Sequence, residues 1–172
     1  LRDTAMSHER CSVIEVMGRQ AGYLALNVGI ACGAEVVMIP EVETDFQRDV
    51  VKVLLQGRNS GKHHYIVVVA EGAGSASDVA QKIEATTGIE SRATILGHLQ
   101  RGGSPTNRDR TMASMMGLQA IDCIRRGQLN RIIAYKEGQI IDLAIEEALD
   151  MKKTIDAGEL ERAHILSARR AV

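Results

Sequence analysis

Apolar and polar positions alternate along the first hundred residues as strands and helices taking turns. Cys11 to Met17, with Ser-Val-Ile-Glu-Val inside it, is β-rich and predicts a strand closed by Gly18. A helix is predicted from about Gln20 to Cys32, with Leu24 and Val28 turned inward and Gly33 as its stop. Ala34 to Ile39 predicts the next strand, ended by Pro40. Thr44 or Asp45 then caps a helix with i,i+4 pairs Val50/Leu54 and Val51/Leu55, which Gly57 ends. Tyr65 to Ala70 is apolar almost without interruption, the mark of a central parallel strand covered on both faces. Ser77 or Asp78 starts a helix ending at Gly88.

From Ser91 the chain predicts a buried strand that breaks into the tight turn Gly-Gly-Ser-Pro105 just after His98 and Arg101. A long helix follows from about Arg108 to Arg126, with Met116, Ala120 and Ile124 on one face. Arg131 to Tyr135 reads as a strand, Glu137-Gly138 as a two-residue hairpin turn, and Gln139 to Ile141 as the return. Asp142 is placed to cap a further helix to about Met151, and the first ten residues and the charged tail after Lys152 read as helical. Strand–helix alternation at this pace predicts an α/β three-layer sandwich with a mostly parallel sheet and right-handed crossovers.

A chain of 172 residues with 45% hydrophobic content can bury one core, as one domain or one domain plus a fragment. The net charge of −1 gives no basic field for nucleic acid or an anionic membrane, so any anion binding must be local. Aromatic residues are only 2% and Trp is absent, which argues against base-stacking platforms. Cys11, Cys32 and Cys123 are odd in number, far apart and set among apolar neighbours, which suits free thiols in a reducing, cytoplasmic setting. No apolar run approaches the roughly 18 residues of a membrane span, and no signal-peptide pattern opens the chain. Its first residue is Leu1 rather than Met, so the chain is expected to be a piece of something longer.

Candidate chemistry emerges when polar residues are sorted by strand end. Met17, Gly18 and Arg19 follow one predicted strand, Glu71 and Gly72 another, and His98 to Arg101 a third. Open α/β sheets bind ligands beyond the C-terminal ends of their strands. There Gly18 permits close backbone approach, and the amides of the helix opened by Arg19 favour an anion. Together these groups suit a polyhydroxy ligand carrying phosphate, with Glu71 accepting hydroxyl protons and the cations taking the phosphate. A second polar set, Arg10, Glu35, Lys62, His64 and Arg92, with Arg2 nearby, lies at the N-terminal ends. By the crevice rule alone these are solvated surface charges.

Five stretches, in this order, closely resemble the latter half of bacterial 6-phosphofructokinases: Leu1-Arg-Asp-Thr4, Ser7-His-Glu-Arg10, Glu15-Val-Met-Gly-Arg-Gln-Ala-Gly22, Ala70-Glu-Gly72 and Gly97-His-Leu-Gln-Arg-Gly-Gly-Ser-Pro105. The resemblance implies transfer of the γ-phosphoryl of Mg-ATP to the 1-hydroxyl of fructose 6-phosphate. On it, Met17 and Gly18 line the sugar, Glu71 holds its hydroxyls, His98 and Arg101 bind the 6-phosphate, and Arg19 reaches the transferring phosphoryl group. Arg10 and Arg92 come from a neighbouring subunit to the same phosphate, in a homotetramer. Arg2, Gly33, Glu35, Lys62 and His64 line an effector site for ADP or phosphoenolpyruvate, where Ser60 replaces a lysine of some relatives.

The resemblance also places the catalytic base, most of the ATP site and most of the Mg2+ ligands upstream of Leu1. Residues 1–101 and 152–172 then form the sugar-phosphate domain, and 102–151 an arm that packs with the upstream ATP-binding domain. Two alternatives stay open: a pyrophosphate-dependent phosphofructokinase, and a non-catalytic sugar-phosphate-binding module.

Overall fold

The computed structural model describes residues 2–151, 155 and 157–168, apart from the side chains of residues 2–4, 157, 164, 167 and 168. The chain divides into two compact units, one comprising Leu1–Arg101 with Thr154–Val172 and the other Gly102–Lys153.

In the first unit a short helix α1 (Arg2–Ser7) precedes strand β1 (Cys11–Val16), helix α2 (Tyr23–Cys32) and strand β2 (Val36–Met38). A π-helical turn over Phe46–Val51 runs into α3 (Lys52–Asn59); then come β3 (Tyr65–Ala70), α4 (Ala76–Thr87), β4 (Ser91–Ile95) and a 3-10 turn, Gly97–Gln100. The four strands form one parallel sheet in the order β2-β3-β1-β4, so β3 and β1 are its interior strands. Alternate side chains of these strands build two cores. Cys11, Val13, Tyr65, Val67 and Val69 pack under α3 and α4, while Ile14, Val16, Ile66 and Val68 pack on the other face with Ala25 of α2. All six residues of β3 are buried, as its unbroken apolar run required. A closing helix, α7 (Ala157–Ala168), lies against α2 and β2, with Leu160 packed on the second core. The three-layer α/β reading describes this unit.

Several local expectations are corrected. In α2 the buried residues are Ala25, Leu26 and Gly29, while Leu24 and Val28 are exposed. The helix starts three residues later than predicted, and Gly29 faces Val37 so closely that a Cβ would collide with it; this turns the inward stripe away from Leu24. Gly57 does not end α3: it sits inside the helix because any Cβ would press on the Tyr65 ring, and the helix runs to Asn59. The cap of α4 is Ser75, two residues before the predicted start. Strand β4 is an edge, not a buried strand, because no further strand pairs beyond it among the described residues; Arg92, Ala93 and Ile95 are exposed.

The second unit holds α5 (Asn107–Arg125), the antiparallel hairpin β5 (Arg131–Lys136) and β6 (Gln139–Ala144), and α6 (Ile145–Asp150). Thr106 and Asp109 form a reciprocal capping box at the start of α5. The hairpin turns on Glu137 and Gly138, both with positive φ, as the Glu-Gly pair predicted. Of the expected α5 face, Met116 and Ala120 are half-buried but Ile124 is exposed, and Cys123 is buried in its place. A four-residue step drifts around a helix with 3.6 residues per turn, and 116-120-123 keeps to one side. Asp142 caps nothing; it lies within β6, held by Arg131 and Gln119.

Candidate functional site

The sheet topology fixes where a cleft can open. From β1 the chain turns to α2 on one face, and from the adjacent β3 it turns to α4 on the other. Neighbouring strands whose helices leave on opposite sides part their loops beyond the strand ends. The cleft there measures about 490 Å³ and is lined by Met17, Gly18, Arg19, Leu24, Glu71, Gln100 and Arg101.

Glycines allow the two loops to meet. A Cβ on Gly72 would collide with the Arg19 carbonyl oxygen, and one on Gly18 with that of Ala21. Across this approach Glu71 Oε1 accepts the backbone N–H groups of Gly18 at 3.0 Å and Arg19 at 2.5 Å. These bonds, the Arg19 amide first, hold the Glu71 carboxyl below the usual glutamate range; the Arg19 and Arg101 charges add to them against the cost of desolvation. Arg19 itself adopts φ 52°, a left-handed conformation that costs a non-glycine residue about 1–2 kcal/mol and that the Glu71 bond helps to hold. Glu71 thus has one oxygen committed to the main chain and one beyond those bonds, rather than a carboxylate wholly given to ligand hydroxyls.

The third strand contributes Gln100 and Arg101 to the lining. Gln100 Oε1 accepts the Met17 backbone N–H at 2.7 Å, tying the 3-10 turn to the end of β1. Gln100 was not singled out from the sequence, although it lies between His98 and Arg101 inside the motif; its glutamine could have been read as a main-chain bracket. His98 is exposed on the same turn but is not among the residues lining the cleft. The anion expected at the start of α2 is the protein's own: both Glu41 carboxylate oxygens accept the Gly22 N–H, at 2.8 and 3.1 Å, and the helix begins four residues beyond Arg19.

The second polar set stays apart from this cleft. Arg10 and Arg92 flank the start of β1, whose six residues rise about 3.3 Å each, so the length of the strand separates them from Gly18. Arg92 pairs with Glu90 at 3.1 Å, and Arg10 Nε is buried with no hydrogen-bond partner among the described residues. Glu35 is not a solvated charge: it is buried, forms an ion pair with Lys62, and accepts the Ile66 N–H through its other oxygen at 2.6 Å. Gly33 is the left-handed cap that ends α2, and His64, half-buried, precedes β3. Arg2 lies in α1 with its side chain outside the described residues.

The family model described as phosphofructokinase matches residues 1–124. The chain is 49% identical over 167 residues to the ATP-dependent 6-phosphofructokinase 1 of Clostridium perfringens, covering 97% of this chain and 52% of the relative. It is 47% identical over 168 residues to the ATP-dependent 6-phosphofructokinase of Clostridium botulinum strain Alaska E43, with the same coverage. The chain therefore spans about half the length of the curated relatives it matches. Among solved structures, the phosphofructokinase of Saccharomyces cerevisiae superposes with a TM-score of 0.81 at 33% identity, over 99% of this chain and 23% of that one. A pyrophosphate-dependent phosphofructokinase from Nitrosospira multiformis shares the fold, with a TM-score of 0.75 at 20% identity over 90% of this chain and 46% of its own.

Proposed function

The chain belongs to the phosphofructokinase family, and from that premise we propose that it is the sugar-phosphate half of an ATP-dependent 6-phosphofructokinase of glycolysis. The reaction is transfer of the γ-phosphoryl of ATP to the 1-hydroxyl of fructose 6-phosphate. One observation supports it above the others: the loop of Glu71 is bonded to the main chain of Gly18 and Arg19 in a cleft that Arg101 also lines. A carboxylate for hydroxyls, a main chain free of side-chain bulk and two guanidinium groups match a phosphorylated ketose.

In this reading Met17 and Gly18 lie along the sugar, the second Glu71 oxygen accepts from its hydroxyls, and Arg101 and His98 take the 6-phosphate. His98 must then turn inward from its exposed position. Arg19 faces the phosphoryl group in transfer, where a fixed cation stabilises developing charge. Arg10 and Arg92 serve the 6-phosphate of an adjoining subunit in a homotetramer. Arg2, Gly33, Glu35, Lys62 and His64 form the effector site, where an anionic effector competes with Glu35 for Lys62. Magnesium accompanies ATP. Among the described residues no three His, Cys, Asp or Glu side chains gather as a metal ion needs. No helix among the described residues is long and apolar enough to cross a membrane; a cytoplasmic enzyme is part of the same proposal. The second unit, Gly102–Lys153, is read as an arm that packs with the ATP-binding part of the relatives' length.

Assay of the full-length protein with fructose 6-phosphate and either ATP or pyrophosphate tests this. We expect fructose 1,6-bisphosphate with ATP, and Arg19→Ala to lower kcat by about 100-fold or more, as for other groups that meet transition-state charge. Turnover with pyrophosphate alone, or binding of the sugar phosphate without turnover, would overturn it.

A further inference from the structure

One carboxylate close to the cleft has no part in the chemistry above. Glu15 lies in β1, between Val69 of β3 and Ile95 of β4, on the face that Cys11 and Val13 bury under α4. A half-buried carboxylate within a central strand costs free energy unless it is bonded. Glu15 is bonded at two places that both lead to the cleft. Its Oε2 accepts the N–H of Ala76, the first residue of α4, at 2.9 Å. Its backbone carbonyl accepts the N–H of Leu96, which enters the 3-10 turn, at 3.2 Å.

These two bonds hold opposite walls. Between Glu71 and Ala76 run the four residues Gly72 to Ser75, a loop fixed at its near end through Glu71 by the Gly18 and Arg19 amides and at its far end through Ala76 by Glu15. Ser75 caps the same helix through the Asp78 N–H, at 3.4 Å, and leaves the Ala76 N–H to Glu15. Leu96 leads into the turn that carries His98, Gln100 and Arg101. Glu15 itself does not line the cleft.

We propose that Glu15 is a positioning residue: its carboxylate holds the far end of the Glu71 loop at the start of α4, and so keeps Glu71 within reach of the Met17–Arg19 main chain, while the Leu96 bond, made by the backbone carbonyl, belongs to the strand and not to the side chain. Its importance for catalysis rests on reading the cleft as the fructose 6-phosphate site; its hold on the Glu71 loop does not.

The test uses the full-length protein and two readouts. In hydrogen exchange, Glu15→Ala should speed exchange at the Gly18 and Arg19 amides by about tenfold, since a lost bond to a charged group loosens the loop that pairs with them. Glu15→Gln, which keeps an oxygen for Ala76, should recover most of this protection. In kinetics, Glu15→Ala should raise KM for fructose 6-phosphate by about tenfold while KM for ATP stays unchanged, again with recovery in Glu15→Gln. Should Glu15→Ala fail to fold, Glu15→Asp, which withdraws the acceptor by one methylene, should give the same pattern in weaker form. Faster exchange at Ala76 alone, or equal rises in both KM values, would overturn the proposal. Faster exchange at Gly18 and Arg19 in a protein that does not bind fructose 6-phosphate would uphold the hold on the Glu71 loop and refute the substrate.

Discussion

The two units use the same vocabulary of strand and helix but bury it differently. The first unit covers both faces of its sheet, and fully buried side chains such as Leu26, Leu54, Val67 and Ile83 each contribute roughly 1.5–3 kcal/mol. In the second unit Cys123 is the only buried side chain among the described residues. Met115, Leu118 and Ile121 stand exposed along α5, and Leu129, Tyr135 and Leu149 are exposed beyond it. Periodicity in a sequence records that a face is to be covered. It does not record by what. The first unit supplies its own cover; for the second, we propose cover by a part of the relatives' length that this chain does not span.

The largest expected effect separates the chain from the enzyme. The 172-residue chain alone should show no measurable phosphorylation of fructose 6-phosphate by ATP, whereas the full-length protein should turn over. Activity in the isolated chain would mean that the cleft of the first unit suffices, and the contrast between complete and incomplete units would lose its functional meaning.

Next in size is a stability contrast. Leu54→Ala should cost about 2–5 kcal/mol in urea unfolding, because Leu54 is fully buried. Leu118→Ala in the isolated chain should change stability by less than about 0.5 kcal/mol, since its side chain is exposed. In the full-length protein the same change should cost roughly 1.5–3 kcal/mol, the worth of burying a leucine. An unchanged small effect there would show that α5 meets no partner surface.

Two glycines sharpen the contrast further. Gly72→Ala sets a Cβ against the Arg19 carbonyl and should destabilise by about 1–3 kcal/mol while weakening sugar-phosphate binding. Gly117→Ala, within α5 and with nothing near its Cβ, should stabilise by about 0.5–1 kcal/mol. Thermal melts of both variants decide it, and a loss at Gly117 would reveal a close neighbour there.

What could be read in advance follows from the same division. The apolar run of β3, the strand-end grouping of Gly18, Arg19 and Glu71, and the Glu137-Gly138 turn were legible because each depends on local pattern or on the parallel topology. Leu24, Ile124 and the edge character of β4 were not, since the first two depend on helix phase and the last on which strand lacks a neighbour. Asp142 misled because Asp before an apolar stretch resembles a cap; its carboxylate instead answers Arg131 across the hairpin, a pairing visible only once register is known. The Glu35–Lys62 pair was hidden for the same reason, its partners lying 27 residues apart.

The smallest effect concerns one carboxyl in each unit. Glu71 is held below its ordinary range chiefly by backbone amides, Asp142 chiefly by its side-chain bond with Arg131 and then by Gln119. Both shifts are downward, so each carboxylate adds stability that is present at neutral pH and lost as pH falls through its lowered folded value. The causes differ, and so should the response to substitution. Arg131→Gln should return the Asp142 carboxyl toward its ordinary range and move the loss of stability to higher pH. Arg101→Gln should leave Glu71 depressed, because the amides of Gly18 and Arg19 remain and Arg101 is the weakest of its causes. Carboxyl titration by NMR in both variants measures this directly. If Glu71 rises to the ordinary range in Arg101→Gln, its carboxylate is held by side-chain charge rather than by the main chain, and the cleft is less preformed than the bonded loops imply.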